Sequence, residues 1–441
     1  MSASLIALVL SGCASQNSAG GGPPSHGTRQ YGAHRNALFG QFQHVVVIVE
    51  ENRTVDNMFN GFPGADTVTT GSRNGQTVAL QQVALQPSFT LGLGHGHPDF
   101  VSDYNNGKLD GFDHAVPSSS GTAYAYVRQS DVQNYWTLAT RFTLADEVFQ
   151  ANQGPSFANH ISIIAAQNGY PQALAGNATG GNNAAPGCFG KSKVQYIDMR
   201  TAFPGKATTG PACIDLATVF DLLDQQGLSW RYYAPNYGMA RHFWTGPDYI
   251  SHLAFGQDQN NLTSPETTIL SDIAQGSLPA VSYVIPEVCT SDHPYPEKSN
   301  PLGGPLWVAS ITNAIGASNY WQNTLILVTW DDWGGWYDHV SPPINNADQL
   351  GFRTPLLIVS AYPAAAGTPD HTIRNQASII TAIESTFGLG SLGQLDSQTD
   401  DLSADFNFSA PVSYGSPLPS ATPPPVSTCT ASYGGPPLEQ E

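Results

Sequence analysis

The stretch at residues 324–343, TLILVTWDDWGGWYDHVSPP, constrains the fold of this chain more than any other. Its first seven residues are apolar and partly β-branched, which predicts a strand buried on both faces of a parallel sheet. Asp331 and Asp332 follow directly, and two glycines, a third Asp and a His lie within the next seven residues. Because ligands and catalytic groups in open α/β sheets collect just past the carboxyl ends of strands, this stretch predicts a functional site. The alternative is an acidic turn, since Asp and Gly are ordinary turn residues.

A second predicted strand ends in the same way. Residues 44–49, HVVVIV, are followed by Glu50, Glu51 and Asn52. If Glu51, Asp331 and Asp332 converge, like charges about 4 Å apart repel by about 4 kcal/mol per pair at an effective dielectric near 20. Such a group needs a cation, protonation or both. Carboxylate and amide oxygens are ligands for hard divalent ions such as Ca²⁺, Mg²⁺ and Mn²⁺, so the two strand ends predict a divalent-ion site.

Strand-like and helix-like segments alternate along the rest of the chain. Further apolar runs predict strands at residues 228–233, 278–286 and 351–363. Apolar residues at helical spacing predict helices at residues 216–227, 306–318 and 378–387, and a core helix within residues 124–149. Residues 94–115 show little period of either kind. The pattern predicts an α/β fold with a mostly parallel central sheet flanked by helices.

The charge balance excludes several classes of partner. Sixteen Lys and Arg residues against 34 Asp and Glu residues give a formal net charge of −18. This balance argues against nucleic-acid binding and against electrostatic docking on anionic lipid. Charged residues make up only 11% of the chain, whereas Gly (44) and Pro (33) are plentiful. We therefore expect an exported protein whose surface is polar but largely uncharged.

The amino terminus supports export. Residues 4–10 form an apolar run that is too short to span a bilayer and fits an export signal. LSGC, residues 10–13, resembles a bacterial lipobox and predicts a lipoprotein-type export signal at 1–13. Cys13 would carry the lipid, and we expect the protein to contact the membrane only through that lipid. A plain cleaved signal is the alternative. We expect a flexible tether at 14–36, a catalytic domain at 37–408 and a Pro-rich tail at 409–441.

Four further cysteines predict two disulfides in an oxidising compartment. Cys188 and Cys213 flank one Gly-rich insertion, so we favour that pair. Cys289 and Cys429 are then left to form the second bond.

Ser156 opens a predicted helix in GPSFANHISIIAAQ, residues 154–167. On local grounds its role is a helix N-cap. The functional alternative is that it lies beside an anion at the positive helix end. A cation next to such a Ser, with histidines nearby, suits phosphoryl transfer.

Five sequence blocks together resemble the bacterial phosphoesterase family, which includes acid phosphatases and non-specific phospholipases C. They are HVVVIVEENRTVD (44–56), NNGKLDGF (105–112), PSFANHI (155–161), SDHP (291–294) and TWDDWGGWYDHVSPP (329–343). The blocks follow the family's order. The family's nucleophile block, Pro-Thr-His-Pro-Asn-Arg, reads Pro-Ser-Phe-Ala-Asn-His here, so Phe157 and His160 stand where the family has His and Arg.

The resemblance implies an alkaline-phosphatase-like fold and one divalent metal ion, with Ca, Mg, Mn and Zn all open. The implied metal ligands are Glu51, Asn52, Asp331 and Asp332. The implied nucleophile is Ser156, and the histidines expected to hold phosphate oxygens or protonate the leaving group are His95, His293 and His339. Asn159 and His160 of the nucleophile block are expected to contact substrate.

We therefore expect a metal-dependent phosphoesterase, acid-phosphatase-like, that acts through a phosphoseryl intermediate. The alternative enzyme is a phospholipase C that cleaves phospholipid phosphodiesters. A different class is a surface lipoprotein that keeps the fold as a binding module without activity. Phosphate release with and without a chelator separates enzyme from binding module.

Overall fold

A seven-stranded mixed sheet lies at the centre of the molecule. The computed structural model describes residues 38–85, 93–114, 123–167, 173–174, 187–190, 193–198, 203–235, 244–287, 290–294, 303–344 and 349–422. The strands of these residues are β1 (His44–Glu50), β2 (Thr70–Arg73), β3 (Gln76–Ala79), β4 (Gln81–Val83), β5 (Ala125–Val127), β6 (Thr143–Ala145), β7 (Val148–Phe149), β8 (Ala173–Leu174), β9 (Lys193–Asp198), β10 (Lys206–Pro211), β11 (Trp230–Tyr233), β12 (Leu262–Thr263), β13 (Val281–Val284), β14 (Thr324–Trp330), β15 (Leu356–Val359) and β16 (Arg374–Asn375).

Helices flank this sheet. They are α1 (Val55–Met58), α2 (His97–Tyr104), α3 (Gln133–Arg141), α4 (Ser156–Ala165), α5 (Val219–Gln225), α6 (Ser251–Phe255), α7 (Thr268–Gln275), α8 (Gly303–Gly316) and α9 (Ser378–Phe387). The α/β class is as expected. In the part of the chain that the structure describes, no helix has the length and apolar character needed to cross a membrane.

The two strands that end in acids are neighbours in the sheet. The strand order is β12-β11-β13-β1-β14-β15-β6, and β1 pairs in parallel with both β13 and β14. Along β1 and β14 the register runs from His44 opposite Thr324 to Glu50 opposite Trp330. The carboxyl ends of both strands therefore lie side by side, as the sequence predicted.

The far edge of the sheet is antiparallel. β15 pairs antiparallel with β14, and β6 pairs antiparallel with β15. Parallel neighbours need a crossover connection, usually a helix, whereas antiparallel neighbours can be joined directly. The described residues between β14 and β15 contain no helix. This fits the antiparallel pairing of the two strands, which needs no crossover helix.

Two segments differ from the prediction. Residues 124–149 hold only the short helix α3, together with β5, β6 and β7. β6 finds a strand partner in β15, and such tertiary pairing overrides local helical spacing. Residues 94–115, predicted to lack regular structure, contain α2. Its start is fixed by Pro98 and by the Asp99 carboxylate, which accepts a hydrogen bond from Gly96 N at 3.0 Å.

The core lies on both faces of the sheet. Val45, Val47 and Val49 of β1 pack into one apolar cluster with residues of α4, α5 and α9. Val46 and Ile48 point the other way, into a cluster with α3, α7 and α8. Strand residues alternate between faces, so a strand buried on both sides must be apolar throughout.

An aromatic layer covers the carboxyl end of the sheet. Its larger members are Phe100, Phe112, Tyr124, Trp333, Trp336, Tyr337 and Phe352. They pack edge-on and tilted against one another, with centroid distances such as 5.0 Å between Phe112 and Phe352. Trp333 and Trp336 follow β14 closely, so part of this layer lies beside the polar groups at the strand ends.

The disulfide between Cys188 and Cys213 is present, with a Cα–Cα distance of 4.4 Å. This confirms the favoured pair. Cys289, Cys429, Cys13 and the tether at 14–36 lie outside the described residues, and the domain boundaries stay predictions.

The start of the predicted tail packs against α8. Tyr414 is buried, and its hydroxyl donates to Thr312 Oγ1 at 2.8 Å. Leu418 N donates to Asn313 Oδ1 at 2.9 Å. This part of the tail therefore runs without helix or strand across one helix of the core.

Glu266, just before α7, gives the fold a pH dependence. The side chain is 1% exposed, Oε2 has no hydrogen-bond partner among the described residues, and burial raises the pKa of Glu266 to about 7. The Glu266 carboxyl group loses its proton near pH 4.5 in the unfolded chain, whereas in the folded protein it keeps that proton up to about pH 7. The wild type therefore loses stability from this group as the pH rises through this window.

We expect Glu266→Gln to remove that loss. The free energy of unfolding of the variant minus that of the wild type should be about 2 kcal/mol larger at pH 8 than at pH 4.5. Urea unfolding of both proteins at the two pH values measures this difference. A difference between the proteins that is the same at both pH values would contradict the assignment.

Candidate active site

Backbone and side-chain hydrogen bonds tie the ends of β1 and β14 together. Asp331 N donates to Glu50 O at 3.0 Å, and Arg53 N donates to Asp332 O at 2.8 Å. Asn52 N donates to Asp331 Oδ1 at 2.8 Å. The two predicted ligand pairs, one after each strand, thus belong to one group, and all four side chains are fully buried.

A close backbone approach explains the Gly-Gly pair after the acids. Asn52 and Gly334 have φ angles of 58° and 60°, the left-handed region that Asn and Gly tolerate. A Cβ on Gly334 would lie 2.5 Å from Asn52 Cβ. Gly334 N also donates to Asp332 Oδ1 at 2.7 Å, which orients that carboxylate. A larger residue at position 334 would push Asn52 and Asp332 apart.

Ser156 lies against this group. It is the first residue of α4, and its buried hydroxyl donates to Asp332 Oδ2 at 3.1 Å. Asn52 Oδ1 is 3.5 Å from the same hydroxyl. The N-cap position is occupied by Pro155, and Ser156 makes no side-chain cap bond, so the local expectation of a capping Ser is wrong. Tertiary contacts across the sheet decide its role.

His160 follows Ser156 by one helical turn and contacts the carboxylates. His160 Nε2 is 2.8 Å from Glu51 Oε1 and 3.8 Å from Asp331 Oδ2. Burial lowers the pKa of His160 to about 4, although the Asp331 charge acts in the opposite direction. The ring is therefore neutral at pH 7 and lies among the carboxylates, and substrate contact by His160 stays a prediction.

His95 fixes the orientation of the Asn52 amide. His95 Nδ1 is 2.8 Å from Leu93 O, which can only accept, so Nδ1 carries the proton. His95 Nε2 must then accept from Asn52 Nδ2 at 3.0 Å. This leaves Asn52 Oδ1 facing Ser156, with the amide oxygen available to a cation.

His293 lies next to His95, with ring centroids 6.1 Å apart, and stacks on Trp244 at 5.7 Å. Burial, with smaller contributions from His95 and Arg53, holds the pKa of His293 well below its usual range. The imidazole therefore stays neutral and offers one N–H donor at neutral pH.

Asp292 anchors the loop that carries His293, and sequence reasoning missed this role. Its Oδ2 accepts from Tyr135 Oη at 2.8 Å and from Trp330 Nε1 at 2.9 Å. Its carbonyl accepts from Arg53 Nη2 at 2.6 Å. The position of Asp292 beside a site histidine in SDHP was the available signal.

Gln376 is a second missed residue. Its Nε2 donates to Trp330 O at 2.8 Å and to Asp331 O at 2.7 Å, which pins the chain as it leaves β14. Nothing local in the sequence marks Gln376, because its partners lie 45 and 46 residues away.

Asn159 has a structural role in the described contacts. Its Nδ2 donates to Gly154 O at 2.8 Å and to Pro155 O at 3.2 Å, so it holds the turn before α4. Its Oδ1 has no hydrogen-bond partner among the described residues. Substrate contact by Asn159 stays a prediction.

His339 belongs to a separate cluster. His339 Nδ1 is 2.6 Å from Asp56 Oδ2, and Nε2 is 3.3 Å from Asp66 Oδ1. Burial disfavours its charged form, but the hydrogen bond and charge of Asp56 outweigh this and raise the pKa of His339. No described contact joins His339 to Ser156 or to the acids beside it, and its place in the phosphate site stays a prediction.

Arg353 supplies the positive charge of this second cluster. Its Nη2 is 2.7 Å from Asp338 Oδ1 and 3.4 Å from Asp56 Oδ2, and its Nη1 is 3.1 Å from Glu147 Oε1. The guanidinium is fully buried. Asp56, Asp338 and His339 have the spacing of metal ligands, but Arg353 already balances these carboxylates.

The first cluster, by contrast, fits a divalent ion. Glu51, Asp331 and His160 offer ligand atoms within 4.8 Å of one another. Asp331 Oδ2 is buried without a hydrogen-bond partner in the described part of the chain. An oxygen-rich set with Asn52 Oδ1 and Ser156 Oγ nearby suits a divalent cation.

Comparison with known proteins identifies the family of the chain. The Phosphoesterase family profile matches residues 42–390, so the chain belongs to the Phosphoesterase family, as the sequence blocks predicted. The family match spans every predicted site residue.

Several curated relatives are phospholipases C of bacteria. The chain is similar to the non-hemolytic phospholipases C of Pseudomonas aeruginosa (23% identity, 84% of this chain, 58% of the relative) and Burkholderia pseudomallei (24%, 86%, 60%). It is also similar to phospholipase C A of Mycobacterium tuberculosis (23%, 84%, 78%). The chain spans somewhat under two thirds of the length of the first two relatives.

Among solved structures, an alkaline phosphatase superfamily protein from Vibrio parahaemolyticus matches with a TM-score of 0.40 and 13% identity, over 84% of this chain and 71% of that one. A score of this size carries no conclusion about this chain.

The Arg353 cluster yields a stability prediction. Arg353→Met should lower the free energy of unfolding by about 3–5 kcal/mol, because Asp56, Asp338 and Glu147 lose the buried cation that balances them. Urea unfolding at pH 7 measures the loss.

Arg128→Met is the matched control. The Arg128 side chain is 51% exposed in its 2.8 Å ion pair with Asp131, and its loss should change stability by less than about 1 kcal/mol. An equally small effect for Arg353→Met would contradict the assigned role.

Proposed function

We propose that the protein hydrolyses phosphate esters, with Ser156 as the nucleophile and one divalent ion held by Glu51, Asn52, Asp331 and Asp332. The supporting observation is the contact of the Ser156 hydroxyl with Asp332, at the point where the strand-end acids converge. A phosphate dianion cannot approach three carboxylates unless a cation offsets their charge. The bound ion would supply that charge and lower the pKa of the hydroxyl.

The first step forms a bond between Ser156 Oγ and phosphorus and breaks the bond between phosphorus and the leaving oxygen. The hydroxyl proton lies toward Asp332 Oδ2, its hydrogen-bond acceptor. The leaving oxygen takes up a proton from solvent water and departs as the alcohol. Water then attacks phosphorus, which releases phosphate and restores the Ser156 hydroxyl.

The histidines act as donors in this proposal. His293 stays neutral, so an N–H of its ring donates to a phosphate oxygen and does not serve as a strong acid for the leaving group. His95 holds the Asn52 amide so that Oδ1 faces Ser156. His339 has no step, because its described contacts lie with Asp56, Asp66 and Arg353.

Phosphate monoesters are the first substrate class that we propose. The net charge of −18 disfavours docking on anionic lipid, and a monoester requires no contact with a membrane. Phospholipid phosphodiesters are the second class, and the names of the relatives favour them. A binding module without turnover is disfavoured, because it has no need for a Ser hydroxyl buried against the acids.

Ser156→Ala should abolish turnover, by at least about 1,000-fold, because the reacting oxygen is removed. Metal content and thermal stability should be retained. Release of p-nitrophenol from p-nitrophenyl phosphate, with and without chelator, measures turnover.

Ser162→Ala is the control on the same helix. Ser162 is also buried, but its hydroxyl donates only to Ala158 O in the described contacts, at 3.0 Å, so activity should persist. Normal turnover by Ser156→Ala would overturn the nucleophile assignment.

A substrate comparison separates the two classes. We expect the wild type to release product from p-nitrophenyl phosphate at least about 10-fold faster than from bis-p-nitrophenyl phosphate or phosphatidylcholine vesicles. In each case Ser156→Ala sets the background. The reverse order would replace the monoester proposal with the diester one.

A further inference from the structure

We propose that His160 is a ligand of the divalent ion, adding an imidazole nitrogen to the oxygen ligands of Glu51 and Asp331. This inference rests on the cation site of the proposed function. It changes the chemistry of that site from all-oxygen to mixed nitrogen and oxygen.

The distances permit a shared ion. His160 Nε2 lies 2.8 Å from Glu51 Oε1 and 3.8 Å from Asp331 Oδ2. Bonds from nitrogen and carboxylate oxygen to Zn²⁺ are about 2.0–2.2 Å long, so two ligands of one ion can lie up to about 4 Å apart. Both distances fall within that limit. The ligand atoms of all three side chains lie within 4.8 Å of one another, so small side-chain shifts allow one ion to contact them.

The placement of α4 holds the ring there. Ser156 and His160 are four residues apart, so they share one face of the helix, and both reach the strand-end acids. Every residue of α4 is buried. A Cβ on Gly246 would lie 2.7 Å from His160 O, which shows how tightly the helix backbone is packed at this point. The packing of the whole helix therefore holds the ring against the acids.

The position also departs from the family block. His160 stands where that block has Arg. An Arg would bring a fixed positive charge to Glu51 and Asp331, whereas an imidazole with its proton on Nδ1 brings a lone pair at Nε2. Imidazole ligands suit Zn²⁺ and other transition metals, while Ca²⁺ and Mg²⁺ prefer oxygen. The chain should therefore prefer Zn²⁺ over Ca²⁺.

Metal binding without substrate tests this directly. The full-length protein is stripped with chelator and loaded with Mn²⁺ alone, and pulsed electron paramagnetic resonance detects nitrogen bound to the ion. We expect a directly bound ¹⁴N in the wild type and its loss in His160→Gln. Zn²⁺ affinity, measured by competition with a chromophoric chelator, should fall at least about 10-fold in His160→Gln, with a smaller change for Ca²⁺.

Two further variants calibrate the result. His97→Gln removes another buried histidine, one whose ring nitrogens contact only the backbone carbonyls of Gln153 and Pro204 in the described structure, and it should keep the ¹⁴N signal. Asp331→Asn should weaken Mn²⁺ binding. Circular dichroism and thermal melting show whether each variant is folded. The wild-type spectrum tests the nitrogen ligand even if a variant fails to fold.

The proposal is overturned if wild-type protein binds Mn²⁺ without a nitrogen coupling, or if the coupling survives in folded His160→Gln. It is also overturned if the wild type binds neither Mn²⁺ nor Zn²⁺. Hydrolysis of p-nitrophenyl phosphate is measured on the same samples. Metal-dependent hydrolysis without nitrogen coupling overturns His160 ligation alone. Nitrogen coupling without hydrolysis of any phosphate ester overturns the proposed function and supports the ligand.

Discussion

The parallel pairing of β1 with β14 sets the position of the other groups in the candidate site. Glu50 lies opposite Trp330, so the residues that follow each strand meet at once and exchange hydrogen bonds. A slip of one residue would reverse the faces of every side chain on the strand and break the apolar cores on both sides. The carboxylates are therefore brought together by hydrophobic packing that is strong enough to oppose their repulsion.

The molecule balances buried acids in two different ways. Around Arg353, a guanidinium in the chain itself pairs with Asp56, Asp338 and Glu147. A covalently attached cation is permanent, so this cluster stabilises the packing of the strand-end loops. Around Glu51 and Asp331, the nearby helix brings only an imidazole and a hydroxyl, and in the proposed function a divalent ion supplies the balancing charge. In that proposal the ion is also shared with the phosphate ester.

Helix α4 connects the proposed chemistry to the fold. One face of it carries both Ser156 and His160 to the acids, and the rest of its surface is buried in the core. Membership in the Phosphoesterase family and the similarity to phospholipases C accord with a phosphate-ester site at this point. The family block has Arg where this chain has His160. If His160 binds the ion, as we propose, this difference changes which metal the site prefers.

Local sequence determined the elements that depend on local physics: the apolar strands 44–49 and 324–330, the acids at their ends, the turn glycines and the helix that starts at Ser156. It did not determine which side chains share a pocket. His160 joins the carboxylates, His339 pairs with Asp56, and Ser156 bonds across the sheet instead of capping its helix. Periodicity reports which face of an element is buried, whereas these contacts join residues 109 to 283 positions apart. Only strand register and helix placement, which arise from packing of the whole domain, could decide them.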